Sequence, residues 1–136
     1  METLYIALAE VKGGRQGQAW TVDGDAFELA FPTELDGSGG GTNPEQLLAV
    51  AYGAAFGSAL DLEARQLGLD LSKISVTSSV SLGHGDHGGY ALAVELRVRL
   101  PEVDAATAER LVHAAEATCP YCRMARRNVE FQVVLA

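Results

Sequence analysis

"TNPEQLLAVAYGAAFGSALDLEARQLG", residues 42–68, carries one helical pattern from Pro44 to Gly68. Leu48, Tyr52, Phe56 and Leu60 recur every four residues, and Leu47, Ala51, Ala55 and Ala59 form a neighbouring row, so the apolar surface is wide. The spacing predicts a long helix buried on most sides. Its middle, "AVAYGAAFGSA", holds small residues apart from Val50, Tyr52 and Phe56, which suits close approach of another helix or backbone. A second copy of the same helix fits that role. Thr42 and Glu45 match the S/T-x-x-E capping box, with Pro44 close to the first helical position.

On the N-terminal side, "TLYIALAEV" (3–11), "GQAWTVDG" (17–24) and "AFELAFP" (26–32) read as strands of an antiparallel meander, separated by "KGGRQG" and a tight "DGD" turn. On the C-terminal side, "KISVTSSVSL" (73–82) and "GYALAVELRVRL" (89–100) read as two strands joined by the Gly-rich "GHGDHG". Strict alternation in Leu92, Val94, Leu96, Val98 and Leu100 gives the second of these one buried face. A helix over 104–118 stops at Cys119-Pro120, because proline disfavours α conformation in the residue before it. "NVEFQVVLA" (128–136) is a final strand. Three strands, a long helix, two strands, a helix and a strand make an α+β domain over 1–136, with no internal repeat.

At 136 residues and 48% hydrophobic content the chain is long enough to close a core as one domain. A net charge of −8, with no clustered Lys and Arg face, excludes nucleic acid and anionic membranes as expected partners. "ETLYIALAE" after Met1 lacks the basic and apolar regions of a secretory signal, and no apolar run approaches the roughly twenty residues of a bilayer span. The expectation is a cytoplasmic protein. In that compartment thiols stay mostly reduced, so its two cysteines read as free, catalytic or metal-bound before they read as a staple.

Both cysteines lie in "ATCPYCRMARR", residues 117–127. Cys-Pro-Tyr-Cys matches the glutaredoxin dithiol, but there the motif opens a helix directly after an N-terminal strand, whereas here it follows a helix late in the chain. A zinc site needs about four ligands, and beyond Cys119 and Cys122 only His84, His87 and His113 are at hand, without metal-ligand spacing. The bland reading is two small semi-buried thiols at a helix junction. "HGDHGG" reads as a solvated hairpin loop. "GSGGGTNPEQ" lacks the Gly-Lys-Ser/Thr ending of a phosphate loop, and Glu45 repels an anion there.

Three segments together are more specific. "GGRQG" (13–17), "GTNPEQLLAVAYGAAF" (41–56) and "LVHAAEATCPYCRMARRNV" (111–129) closely resemble the signature segments of the organic hydroperoxide resistance proteins of the OsmC/Ohr superfamily. The resemblance runs over essentially the whole chain and matches the element order. It implies antiparallel sheets with a long central helix and a second helix, in an intertwined homodimer whose central helices pack together. Two active sites lie at the subunit interface, where a cysteine thiolate reduces organic, often fatty-acid, hydroperoxides and a dithiol such as a lipoylated protein resets it. No cofactor or metal is implied. By position, Arg15 matches the arginine that stabilises the thiolate, Glu45 the glutamate that pairs with it, and Cys119 the second, resolving cysteine.

The peroxidatic cysteine belongs in the central helix, where the family reads Tyr-x-Ala-Cys-Phe. This chain reads Tyr52-Gly53-Ala54-Ala55-Phe56, with Ala55 in the nucleophile's place. A methyl group neither attacks a peroxide oxygen nor forms a sulfenic acid. Three explanations are open: an engineered replacement of cysteine by alanine, a natural member that only binds apolar ligands in the retained pocket, or a dithiol relocated to Cys119 and Cys122. For the last, residues three apart on a helical turn are neighbours, and Arg123, Arg126 and Arg127 favour a thiolate. Against it, Pro120 and the short loop strain a disulfide. Glu45 precedes Ala55 by ten positions, about 15 Å along a helix, so Arg15 and Glu45 are expected to serve position 55 across a subunit boundary.

Overall fold

Helix α1 runs Pro44–Gln66, with proline at the first position, where its missing N–H costs nothing. Its cap sits one residue later than the sequence suggests. Asn43 Oδ1 accepts from the Gln46 backbone N–H at 2.8 Å and Gln46 Oε1 accepts from the Asn43 N–H at 3.1 Å, so the reciprocal box is Asn43/Gln46 rather than Thr42/Glu45. Glu45 is thereby left free for another partner.

The computed structural model describes residues 1–136, gathered in two compact units, 1–47 and 48–136. In the first unit β1 (Ala9–Lys12), β2 (Gln18–Thr21) and β3 (Ala26–Glu28) form the expected antiparallel meander, in the order β1-β2-β3. Val11 pairs with Ala19 and Ala19 with Phe27. The strands are shorter than their sequence patterns. Val22 N–H donates to Leu8 O as the last bond beside β1, and the turn at Asp23-Gly24 then carries the partner strand away, so residues 3–7 have nothing to pair with. Leu4, Tyr5 and Ile6 are consequently exposed in this chain. Between β1 and β2, Gly14–Gln16 form a 3-10 turn that holds Arg15. Gly13 has φ 79°, and a Cβ on Gly17 would sit 1.7 Å from Lys12 O, so this tight closure admits only glycine at both ends.

In the second unit β4 (Ser75–His84) and β5 (Tyr90–Arg99) form a long antiparallel hairpin, registered from Ser75–Arg99 to His84–Tyr90. β6 (Glu130–Leu135) lies on the other side of β5 and runs parallel to it, from Ala93–Glu130 to Val98–Leu135. The α+β class stands as read, while this sheet is mixed rather than antiparallel throughout. A parallel pair needs a long crossover, which α2 (Ala105–Thr118) and α3 (Pro120–Ala125) provide. The six-residue α3 is not expected from the sequence, where Cys119-Pro120 reads only as the end of a helix.

The core of this unit joins Tyr52, Phe56 and Leu60 of α1 to Val94, Leu96 and Val98 of β5 and to Leu111 of α2. Within this chain α1 buries one face, not most of its circumference: Val50 is 70% and Leu62 51% exposed. Its small residues do admit a close neighbour, since a Cβ on Gly53 would meet Ser78 Cβ at 3.6 Å and one on Gly57 would meet Val76 Cγ2 at 3.9 Å. The neighbour in this chain is strand β4. With charges confined to Glu45 and the stretch from Asp61 onward, α1 also reaches the length and mean hydropathy (1.3) of a bilayer span, contrary to the sequence expectation. A core helix passes the same test, and Phe56 and Leu60 are fully buried.

Candidate functional site

In the first unit the 3-10 turn and the first turn of α1 bring Arg15 and Glu45 together. Arg15 Nη1 donates to Glu45 Oε2 at 2.8 Å and Nη2 to Oε1 at 2.6 Å, a bidentate ion pair that fixes both side chains in one plane. The guanidinium carbon also stands 6.0 Å from the Phe31 ring centroid. The Arg15 hydrogen bonds hold the Glu45 carboxyl below its ordinary value of 4.5, outweighing the opposing effect of burial.

A depressed carboxylate contributes stability that is fully present above its unfolded value and is lost as pH falls through the folded one. The parent protein should therefore lose thermal stability below about pH 4.5, with part of that slope absent in Arg15→Met. Thermal midpoints between about pH 6 and pH 3 test it, and parallel profiles for parent and variant would remove the pair as a source of acid sensitivity. At neutral pH the partly buried pair, with Arg15 34% and Glu45 15% exposed, is worth on the order of 1 kcal/mol after allowing for solvent screening.

In the second unit Ala55 is half-buried on the wall of an open cavity of about 350 Å³. Ser58, Asp61, Leu62 and Arg65 of α1 line it with Thr118 and Pro120, the residues on either side of Cys119. At its rim Arg65 Nε donates to Asp61 Oδ2 at 2.9 Å. The structure thus brings position 55 beside the turn that carries Cys119, two sites that the sequence separates by more than sixty residues.

Cys119 joins α2 to α3: it caps the end of the first and the start of the second, with ψ 118° between them. Pro120 occupies the first position of α3, which proline favours, so it starts a helix here as well as ending one. Cys119 and Cys122 are both free and both 0% exposed. Burial pushes the Cys122 thiol far above its ordinary value, and the Cys119 thiol beside it pushes the same way. The sequence expectation that Arg123, Arg126 and Arg127 favour a thiolate is corrected at Cys122. Arg126 pulls the thiol down only weakly and is paired with Glu116 at 2.9 Å, so desolvation wins.

Sequence reasoning missed the tyrosines. Tyr52, 2% exposed, meets Tyr121 edge-on with ring centroids 5.3 Å apart and lies 6.2 Å from Phe131. Its hydroxyl is raised by burial and by the proximity of Cys122 and Cys119. The four-residue spacing of Tyr52 marks it as core, and nothing local ties it to thiols more than sixty residues further along the chain. His84 and His87 lie in the exposed β4–β5 hairpin, with the His84 ring stacked on Tyr90 at 5.6 Å.

The OsmC-like family model matches residues 37–134. An organic hydroperoxide resistance protein of Xanthomonas axonopodis pv. citri is 42% identical over 139 residues, covering 99% of this chain and 96% of the relative. The crystal structure of an organic hydroperoxide resistance protein from Legionella pneumophila superposes with a TM-score of 0.93 at 39% identity, covering 99% of each chain. A second, from Vibrio cholerae with captopril bound in one of its active sites, gives 0.94 at 38% identity, covering 99% of this chain and 94% of that one. With the sequence and the fold in agreement along nearly the full length, the chain belongs to the OsmC-like family, on its organic hydroperoxide resistance branch.

Proposed function

We propose that this protein reduces organic hydroperoxides in the cytoplasm by thiol chemistry centred on Cys119, as a homodimer with its sites at the subunit interface. The observation that carries the reading is the cavity beside Ala55, walled by Thr118 and Pro120, because it brings a peroxide up to the turn that holds a thiol. The bidentate ion pair of Arg15 with Glu45 is the pairing that the resemblance implies for a thiolate-steadying arginine, which supports the hydroperoxide reading. A dithiol, such as a lipoylated protein, restores the reduced state. Alanine at position 55 favours a second reading, a ligand-binding member that holds apolar molecules in the same cavity without turnover.

Consumption of cumene hydroperoxide in the presence of a dithiol separates the two. Slow turnover that vanishes in Cys119→Ser supports the enzyme. No turnover, with saturable binding of cumyl alcohol, supports the binding protein. A monomeric mass at micromolar concentration overturns the dimer.

A further inference from the structure

We infer that Cys119 and Cys122 are a redox couple that closes to an intrachain disulfide across the first turn of α3, in place of the disulfide a thiol at position 55 would form. As the source of electrons for hydroperoxide reduction, the couple rests on the reading above.

The geometry comes from the helix start. Cys119 is the N-cap of α3 and Cys122 its third residue, and the side chain of an N-cap residue lies over the third position of the helix. The two thiols are therefore neighbours through local backbone conformation alone. Both are fully buried in the same core cluster, which also holds Tyr52 and has Tyr121 packed against it. A disulfide needs Cα atoms about 4.4–6.8 Å apart, which one turn satisfies. Pro120 fits this conformation instead of opposing it.

The roles of the two differ by position. Cys119 is flanked by Thr118 and Pro120, which line the cavity, whereas Cys122 lies a turn further along α3, so Cys119 is the thiol assigned to meet the peroxide. Its sulfur attacks the distal oxygen of the hydroperoxide: the S–H bond is given up, an S–O bond forms to the OH group, the O–O bond breaks, and the departing alkoxide takes the Cys119 proton to leave as the alcohol. Cys122 then attacks the sulfenic sulfur. The S–S bond forms, the S–O bond breaks, and the hydroxyl departs with the Cys122 proton as water. That thiol holds its proton firmly, so the proton leaves as the new bond forms. An external dithiol returns both sulfurs to thiols by exchange.

The test uses the native chain without reductant. After cumene hydroperoxide, or separately diamide, both thiols should disappear from titration and the intact mass should fall by two hydrogens. The tryptic peptide 111–123 should carry the internal crosslink, and dithiothreitol should reverse it. In Cys122→Ser, peroxide should instead drive Cys119 on to the sulfinic acid, a gain of two oxygens. If both thiols remain titratable after diamide, or if crosslinks form only between chains, the couple is overturned. Closure with diamide but not with peroxide upholds the couple and overturns the hydroperoxide reading.

Discussion

Ala55→Cys should raise the rate of cumene hydroperoxide consumption on the order of 100-fold over the parent chain, equivalent to about 2.7 kcal/mol off the barrier. The parent's only thiols are fully buried, and burial disfavours the thiolate that peroxide attack requires. Position 55 differs on that point, since it is half-buried on an open cavity of about 350 Å³. A thiol there meets water on one side and the Cys119 turn on the other. The added sulfur points into space, so overpacking is not expected to offset the gain. In the double variant Ala55→Cys, Cys119→Ser, the first sulfenic acid should form and persist, because its resolving partner is gone. Initial rates with dithiothreitol check the first outcome, and trapping with dimedone checks the second. A rate for Ala55→Cys equal to that of the parent would mean that position 55 does not face substrate.

Much of the fold was legible because its determinants are local. The hairpin of β4 and β5 follows from alternation at Leu92 through Leu100, and α1 from its four-residue rows; both lie within two residues of expectation. The pairing of Arg15 with Glu45 was also anticipated, but only through family resemblance, since thirty residues separate them. What escaped was non-local or ambiguous. The parallel placement of β6 depends on where the α2–α3 crossover delivers the chain, which no pattern within 128–136 records. Pro120 is ambiguous in sequence, because proline both ends the helix before it and is at home starting the next. The ambiguity hides a chemical feature, because α3 brings Cys119 and Cys122 together. The burial that raises the Cys122 thiol and the meeting of Tyr52 with Tyr121 are both products of tertiary packing.

Phe56→Ala should cost about 3–5 kcal/mol, the range for removing a large side chain from a core with no route to collapse. Phe56 is 0% exposed and belongs to the cluster with Leu96, Val98 and Leu111, so three secondary-structure elements lose contact at once. Against a total stability of about 5–15 kcal/mol for a domain of this kind, the loss is large. A urea midpoint read by circular dichroism measures it, and a shift below about 1 kcal/mol would mean that the cavity is filled by rearrangement. The variant also bears on chemistry, because Phe56 and Tyr52 anchor the buried face of α1, and that anchoring fixes which way residue 55 looks. Built into Ala55→Cys, Phe56→Ala should lower the hydroperoxide rate even at temperatures where the protein stays folded, since a helix free to roll no longer holds its thiol beside Thr118 and Pro120. The strict packing at 56 contrasts with the open wall at 55. A core that specifies Phe56 so tightly makes no such demand on its neighbour, so alanine at 55 alters the chemistry without disturbing the fold that would display a thiol there.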